Sequence, residues 1–177
     1  MKTFCAKDLA DWRNWLKKNH LEEERILLVK YKKHTGKPIL NNLDSMKQAI
    51  CFGWIDTTVN RIDEDCYAQT FVKRNKNSKW SINTLSYGKE LLEGNLMSPY
   101  GIKMYKEGLQ KKPHDAGIPK NPKMPREIKK SLEKNKMLDK FMKLSPSVRR
   151  MNFRAFLKAK RPETKANFIK KMISNIR

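Results

Sequence analysis

The chain has 177 residues, 38% of them hydrophobic, and a formal net charge of +22 from 40 basic and 18 acidic side chains. That length suits one domain, or one domain with a helical appendage. No apolar run approaches the roughly 20 residues needed to cross a bilayer. The first residues lack the apolar core of a secretion signal. We therefore expect a cytoplasmic protein without a transmembrane segment.

The cysteines and histidines give no sign of a disulfide or a metal site. Cys5, Cys51 and Cys66 are odd in number and lack C-x-x-C spacing, and the three histidines lie in unrelated contexts. We expect reduced thiols, no structural metal and no cofactor.

Positive charge is concentrated in the second half of the chain. Residues 1–94 carry a net charge of +5, whereas residues 95–177 carry +17. Such a field attracts polyanions, among them nucleic acid, anionic lipid and acidic protein. A Lys- and Asn-rich compositional bias would produce the same charge without a binding function.

The first half predicts an α+β domain. Apolar spacing predicts a helix over about 6–18, and a short β-branched run predicts a strand over 25–32. A second helix, capped by Asn42 or Asp44, is expected to end at Gly53, which suits the left-handed C′ position.

A β-hairpin and two helices are expected next. The strands cover 54–62 and 66–74, and the acidic loop 63–65 between them is typical of a solvated tip rather than a catalytic carboxylate pair. One helix is closed by Gly94, and another covers about 99–111.

The hairpin register decides which side chains meet. With a three-residue loop, Trp54 lies opposite Arg74 and Asp56 lies opposite Val72, so that Trp54, Asp56 and Arg74 share one face. A shift of one residue would undo this arrangement.

Prolines mark the boundary of the C-terminal region. The sequence predicts an α+β domain at 1–112, a Pro-rich linker at 113–124 and a basic helical module at 125–177. The expected fold class is α+β: a small antiparallel sheet of about three strands covered by helices, followed by an all-helical C-terminal module.

Residues of the hairpin and the segment after it form a candidate ligand pocket. Its members are Trp54, Asp56, Arg74, Ser78, Trp80, Ser81 and Asn83. Asp56 would orient the guanidinium of Arg74, which would bind an oxyanion between two Trp rings. Alternatively, the rings fill the core, the Asp–Arg pair is buried, and Ser78 or Ser81 only caps a helix.

A second candidate site lies on the helix expected after Ser145. At 100° per residue, its bases fall within about 80° and form what we call the basic stripe: Arg150, Arg154, Lys158 and Arg161. The stripe would follow phosphates without reading sequence, because no recognition-helix context is visible. An ordinary solvated helix face is the alternative.

No catalytic residues are assigned. A nucleophile, a base and an orienting group do not occur together. Cys51 is the thiol nearest the FGWID motif, Phe52–Asp56, where it suits a small buried apolar position. P-loop, GxGxxG and GxSxG motifs are missing from the sequence. The sequence therefore favours a non-enzymatic protein.

Three segments resemble the YdeI/OmpD-associated family: Ala49–Asp56, Arg74–Asn83 and Gly94–Gly101. The tail is similar to that family's C-terminal, bacteriocin-protection type domain in its Leu144–Ser147 motif and in positions from Pro125 to Lys165. This chain has Asn75, Lys165 and Lys170 where family members often carry Arg. The resemblance extends over about 9–176. It implies a link to tolerance of cationic antimicrobial peptides and envelope stress, without an established enzymatic reaction.

Three functions are therefore weighed. The leading expectation is a non-enzymatic, strongly basic cytosolic accessory or stress-tolerance protein that binds an anionic partner. The alternatives are a non-specific nucleic-acid-binding protein, and a small-ligand-binding protein or enzyme that uses the Trp54/Asp56/Arg74 pocket.

Overall fold

The computed structural model describes residues 2–176. The chain divides into two compact units, Met1–His114 and Asp115–Arg177. The first contains a small sheet with helices, and the second is helical. The fold class predicted from the sequence is therefore confirmed.

Four strands form the sheet of the first unit, in the order β1-β2-β4-β3. They are β1 (Thr3–Cys5), β2 (Arg25–Tyr31), β3 (Trp54–Arg61) and β4 (Cys66–Lys73). β1 runs parallel to β2, and the other two pairings are antiparallel. The sheet is therefore mixed. Sequence reasoning missed β1 because three residues are too few to show an alternating pattern.

Four helices belong to the first unit: α1 (Leu9–Asn19), α2 (Asn42–Cys51), α3 (Ile82–Glu93) and α4 (Pro99–Leu109). Each begins after a polar residue whose side-chain oxygen accepts a backbone N–H bond. These residues are Asp8, Asn41, Ser81 and Ser98. The predicted cap of α2 was wrong by one residue, since Asn41 takes that role instead of Asn42.

The main core of the first unit joins α1 and α2 to the sheet. Trp12 and Leu16 of α1 pack with Ile26 and Leu28 of β2, and all four are at most 1% exposed. Gly53 ends α2 with φ of +73°, as predicted.

A β-bulge changes the hairpin register. Near the loop the pairing follows the prediction, but a shift between Asp56 and Val59 places Asp56 opposite Phe71, one residue before the predicted partner. The extra residue of a bulge has this effect. The predicted pairing of Trp54 with Arg74 is therefore wrong, and Arg74 does not share the strand face of Trp54 and Asp56.

The second unit consists of α5 (Arg126–Lys134), α6 (Leu138–Met142), α7 (Pro146–Lys158) and α8 (Pro162–Ser174). The last two helices begin with proline. Proline suits the first helical position because an N–H at that position would have no partner within the helix. The core of this unit is apolar and includes three phenylalanines: Ile128, Leu132, Phe141, Phe153, Phe156, Met172 and Ile176.

Candidate functional site

Arg74 lies in the interior of the first unit, with 1% of its surface exposed. Its guanidinium carbon is 3.7 Å from the centre of the Trp80 ring, a cation–π contact. Nη1 donates to the carbonyl oxygen of Lys79 at 3.0 Å, and Nε donates to that of Trp54 at 3.4 Å. Burial lowers the pKa of Arg74 to about 10, partly offset by the charge of Asp56. The side chain is therefore charged at neutral pH and enclosed by protein.

The two tryptophans of the candidate pocket are buried in separate apolar clusters. Trp54 is 0% exposed in the main core, and its indole N–H donates to the carbonyl oxygen of His20 at 3.1 Å. Trp80 is 3% exposed and packs against Met104 and Tyr105. Both rings therefore serve as packing groups in this structure.

The polar members of the candidate pocket have local roles. Ser78 Oγ accepts the backbone N–H of Asn75 within a turn, and Ser81 Oγ accepts that of Thr84 as the cap of α3. Asn83 is exposed on the first turn of α3. Of the seven candidates, Arg74 contacts Trp54 and Trp80, whereas both serines are used in backbone capping.

Asp56 belongs to a polar chain that sequence reasoning missed. Its Oδ2 accepts from Nε2 of Gln69 at 3.2 Å, and Oε1 of Gln69 accepts from Nζ of Lys30 at 2.6 Å. Lys30 and Gln69 are each 2% exposed. The carboxylate therefore compensates a buried ammonium group through an amide.

Lys30 is the buried cation at the end of this chain of contacts. Its Nζ donates to Oδ1 of Asn42 at 2.9 Å, to Oγ of Ser45 and to Gln69, which uses all three of its protons. Burial lowers the pKa of Lys30 from 10.5 to about 8, against the opposing charges of Asp56 and Asp44. Lys30 follows Ile26 and Leu28 at alternate positions of β2, and this spacing was the sequence signal that could have placed it inside.

The basic stripe is shorter than predicted. α7 ends at Lys158, and Arg161 is the N-cap residue of α8. Ala159 has an extended backbone, with ψ of 119°, so the regular rotation of 100° per residue stops before Arg161. The prediction that all four bases lie on one helix is therefore wrong for Arg161.

Two stripe residues are held by the stretch that precedes α5. Arg154 donates to the carbonyl oxygen of Pro119 at 2.6 Å and pairs at 3.3 Å with Asp115, which is 4% exposed. Arg150 donates to Oδ1 of Asn121 at 3.2 Å. Arg154 thus has a structural partner, whereas Arg150 and Lys158 remain exposed.

A cavity of about 230 Å³ lies beside the first two turns of α7. Its lining consists of Asn121, Pro122, Pro146, Arg149, Arg150 and Phe153. Sequence reasoning missed Arg149, because at 100° per residue it falls between the core residues Phe153 and Phe156 rather than on the basic stripe. An arginine on a core face was the signal that could have identified it.

The described part of the chain shows neither a metal cluster nor a membrane-spanning helix. Across residues 2–176, no cluster of three or more His, Cys, Asp or Glu side chains could hold a metal ion. None of the helices described is both long enough and apolar enough to span a membrane.

Comparisons with known proteins give two family matches. Residues 121–177 match the family described as Bacteriocin-protection, YdeI or OmpD-Associated, which confirms the predicted resemblance for the C-terminal region. Residues 4–104 match a different family, described as Domain of unknown function (DUF8412). No curated protein and no solved structure matches the chain. Since the second match covers more than half of the 177 residues, the chain belongs to the DUF8412 family and carries a YdeI/OmpD-associated region at residues 121–177.

Proposed function

We propose that this protein is a non-enzymatic, basic accessory protein of the cytosol whose helical unit binds anionic partners without reading sequence. A stress-tolerance role is part of the proposal and rests on the bacteriocin-protection description of the family matched by residues 121–177. The observation that carries the binding proposal is the charge of the helical unit. Residues 115–177 contain 19 basic and 5 acidic residues, a net charge of +14.

The few acidic residues of this unit already have local roles. Glu127, Asp139 and Glu163 lie in the first turns of α5, α6 and α8, where a carboxylate offsets the helix dipole. Oε1 of Glu133 lies 3.8 Å from Nζ of Lys129, and Asp115 forms an ion pair with Arg154. Fifteen of the 18 basic residues described in this unit are exposed. The acids therefore leave most of the positive surface uncompensated.

Nucleic acid is the most informative polyanion to test first. With full-length protein, duplex DNA should bind at about 50 mM salt and dissociate as salt rises, because cations that neutralise phosphates release counterions. Replacing Arg150, Lys158 and Arg161 with Gln should reduce the slope of log K against log salt by up to about 2.7, at about 0.9 per phosphate contact. Arg154 is left in place because it holds Asp115.

Three exposed lysines of the same unit provide the matched control: Lys134, Lys136 and Lys140, each changed to Gln. The control removes three positive charges at positions outside the stripe. It should change the slope of log K against log salt less than the stripe variant does. Equal losses would assign binding to the field of the whole unit instead of the stripe. Absence of DNA binding at about 50 mM salt, together with absence of binding to polyglutamate, would contradict the proposed function.

The pocket alternative has a weaker basis in this structure. Trp54, Arg74 and Trp80 are each at most 3% exposed, so a ligand would have to displace packed side chains to reach them. A ligand-binding role for this cluster would require retention of a small anion by the full-length protein that is lost on Arg74→Gln while the fold persists.

A further inference from the structure

We propose that the cavity beside α7 is a phosphate-binding site in which Arg149 and Arg150 together hold one phosphate group of a nucleic acid. The inference rests on the proposed function and assigns a defined contact within it. It depends on a different observation, the hydrogen bonding of Arg149, and can therefore fail or succeed separately.

Arg149 has no oxygen acceptor among the described residues. Its Nε is buried without a hydrogen-bond partner. Its Nη1 has one protein contact, the thioether sulfur of Met142 at 3.5 Å, and a thioether is a weak acceptor. Buried polar groups are nearly always hydrogen-bonded, so a guanidinium whose Nε and Nη1 have no oxygen acceptor keeps donor capacity for a bound anion or water.

The lining of the cavity is cationic. Arg149 and Arg150 both reach it, and Asn121 contributes a side-chain amide next to Arg150. None of the acidic residues described in the helical unit lines the cavity. A negatively charged ligand would therefore meet two guanidinium groups without a competing carboxylate.

The phosphate group of a nucleic acid suits these donors. Each of its two non-bridging oxygens can accept more than one hydrogen bond, so one phosphate can accept from the guanidinium groups of Arg149 and Arg150 at once. The cavity of about 230 Å³ is also open enough at the surface for a phosphate that belongs to a longer strand. The start of α7, which is 13 residues long, adds the positive end of its helix dipole.

Inorganic phosphate is the first probe, with the unmodified full-length protein. The side-chain Nε–Hε resonance of Arg149 should shift on addition of phosphate, and chloride at matched ionic strength should produce little change. If chloride shifts the resonance as much as phosphate does, the cavity holds no phosphate site. This measurement needs no variant, so it does not depend on how a substitution affects folding.

Arg149→Lys is the second test, because lysine keeps the positive charge but lacks the bidentate guanidinium group. Duplex DNA should bind about tenfold more weakly, which corresponds to about 1.4 kcal/mol, because lysine keeps the charge but cannot make the bidentate contact. Arg126→Lys, the same change at an exposed position on α5, is the control and should weaken binding less than about twofold.

The outcomes separate the two proposals. If Arg149→Lys and Arg126→Lys weaken DNA binding equally, the site inference is overturned while polyanion binding stands. If phosphate shifts Arg149 but duplex DNA does not bind at low salt, the cavity binds phosphate and its assignment to nucleic acid is overturned. If acidic peptide displaces phosphate more effectively than DNA does, the nucleic-acid assignment of the site is overturned.

Discussion

Arg74 places a positive charge in a region from which water is nearly excluded. Its guanidinium is held by the Trp80 ring and by the carbonyl oxygens of Lys79 and Trp54. Asp56 acts on it through charge while hydrogen-bonding to Gln69. The arginine is therefore fixed mainly by backbone and aromatic partners, and less by the carboxylate.

Arg74→Gln should lower the free energy of unfolding by about 3–5 kcal/mol, because it leaves buried carbonyl groups and the charge of Asp56 without their cation. Asp56→Asn should lower it by about 1 kcal/mol, since an amide can still accept from Gln69. Urea unfolding checks both values, and Lys76→Gln nearby on the surface is the control. A loss below about 1 kcal/mol for Arg74→Gln would contradict a structural role and favour a solvent-open site.

Lys30 should make the free energy of unfolding depend on pH in the alkaline range. Its pKa is about 8 in the folded protein and 10.5 as its ordinary value. Between those values the unfolded chain binds more protons than the folded chain, so stability from this residue rises with pH from about 8 to 10.5. Below about pH 8, both states are protonated, and the full cost of a buried ammonium group is present.

The measurement is the urea unfolding midpoint between pH 7 and 10.5, compared for the unmodified protein and Lys30→Met. Subtracting the variant's pH profile removes contributions from other titrating groups. As pH rises, the unfolding midpoint of the unmodified protein should increase relative to that of Lys30→Met. Parallel profiles over this range would show that the pKa of Lys30 is not lowered in the folded protein.

At the scale of helices and strands, local chemistry was enough to predict most elements. Ser98-Pro99 and Ser145-Pro146 combine a capping oxygen with a proline that needs no N–H partner, and both start helices where expected. The bulge near Asp56 could not be predicted, because it depends on how β3 packs across the sheet. That single residue separated Arg74 from the face on which the candidate pocket was based.

Gly53 joins α2 to β3 under two constraints. Its φ of +73° is in the left-handed region, and a Cβ there would lie 2.7 Å from Cδ1 of Tyr100. Gly53→Ala should therefore lower the free energy of unfolding by about 2–4 kcal/mol, from backbone strain and overpacking together.

Gly36→Ala is the matched control for this prediction. Gly36 has a similar φ of +66°, but a Cβ at this position would meet no other atom within 4 Å. Its substitution should cost about 1 kcal/mol from the backbone alone. Equal losses of stability at the two glycines would mean that the contact with Tyr100 is not a packing constraint.

At the scale of the whole molecule, composition predicted more of the binding proposal than motifs did. The excess of basic over acidic residues in the C-terminal half is readable without any structure. The roles of individual basic residues cannot be read from the sequence, because they depend on tertiary partners. Arg154 is occupied by Asp115, Arg161 lies beyond the end of α7, and Arg149 reaches a cavity from the core side of the helix.

The most direct test of the central claim is residue-level mapping of the bound surface. Full-length, isotope-labelled protein would be titrated with duplex DNA at low salt while amide resonances are followed. The largest shifts should fall on the first turns of α7 and on Asn121, which line the Arg149 cavity. Shifts concentrated at residues 53–56 and 74–83, with residues 115–177 unchanged, would contradict the proposal that the helical unit carries the function.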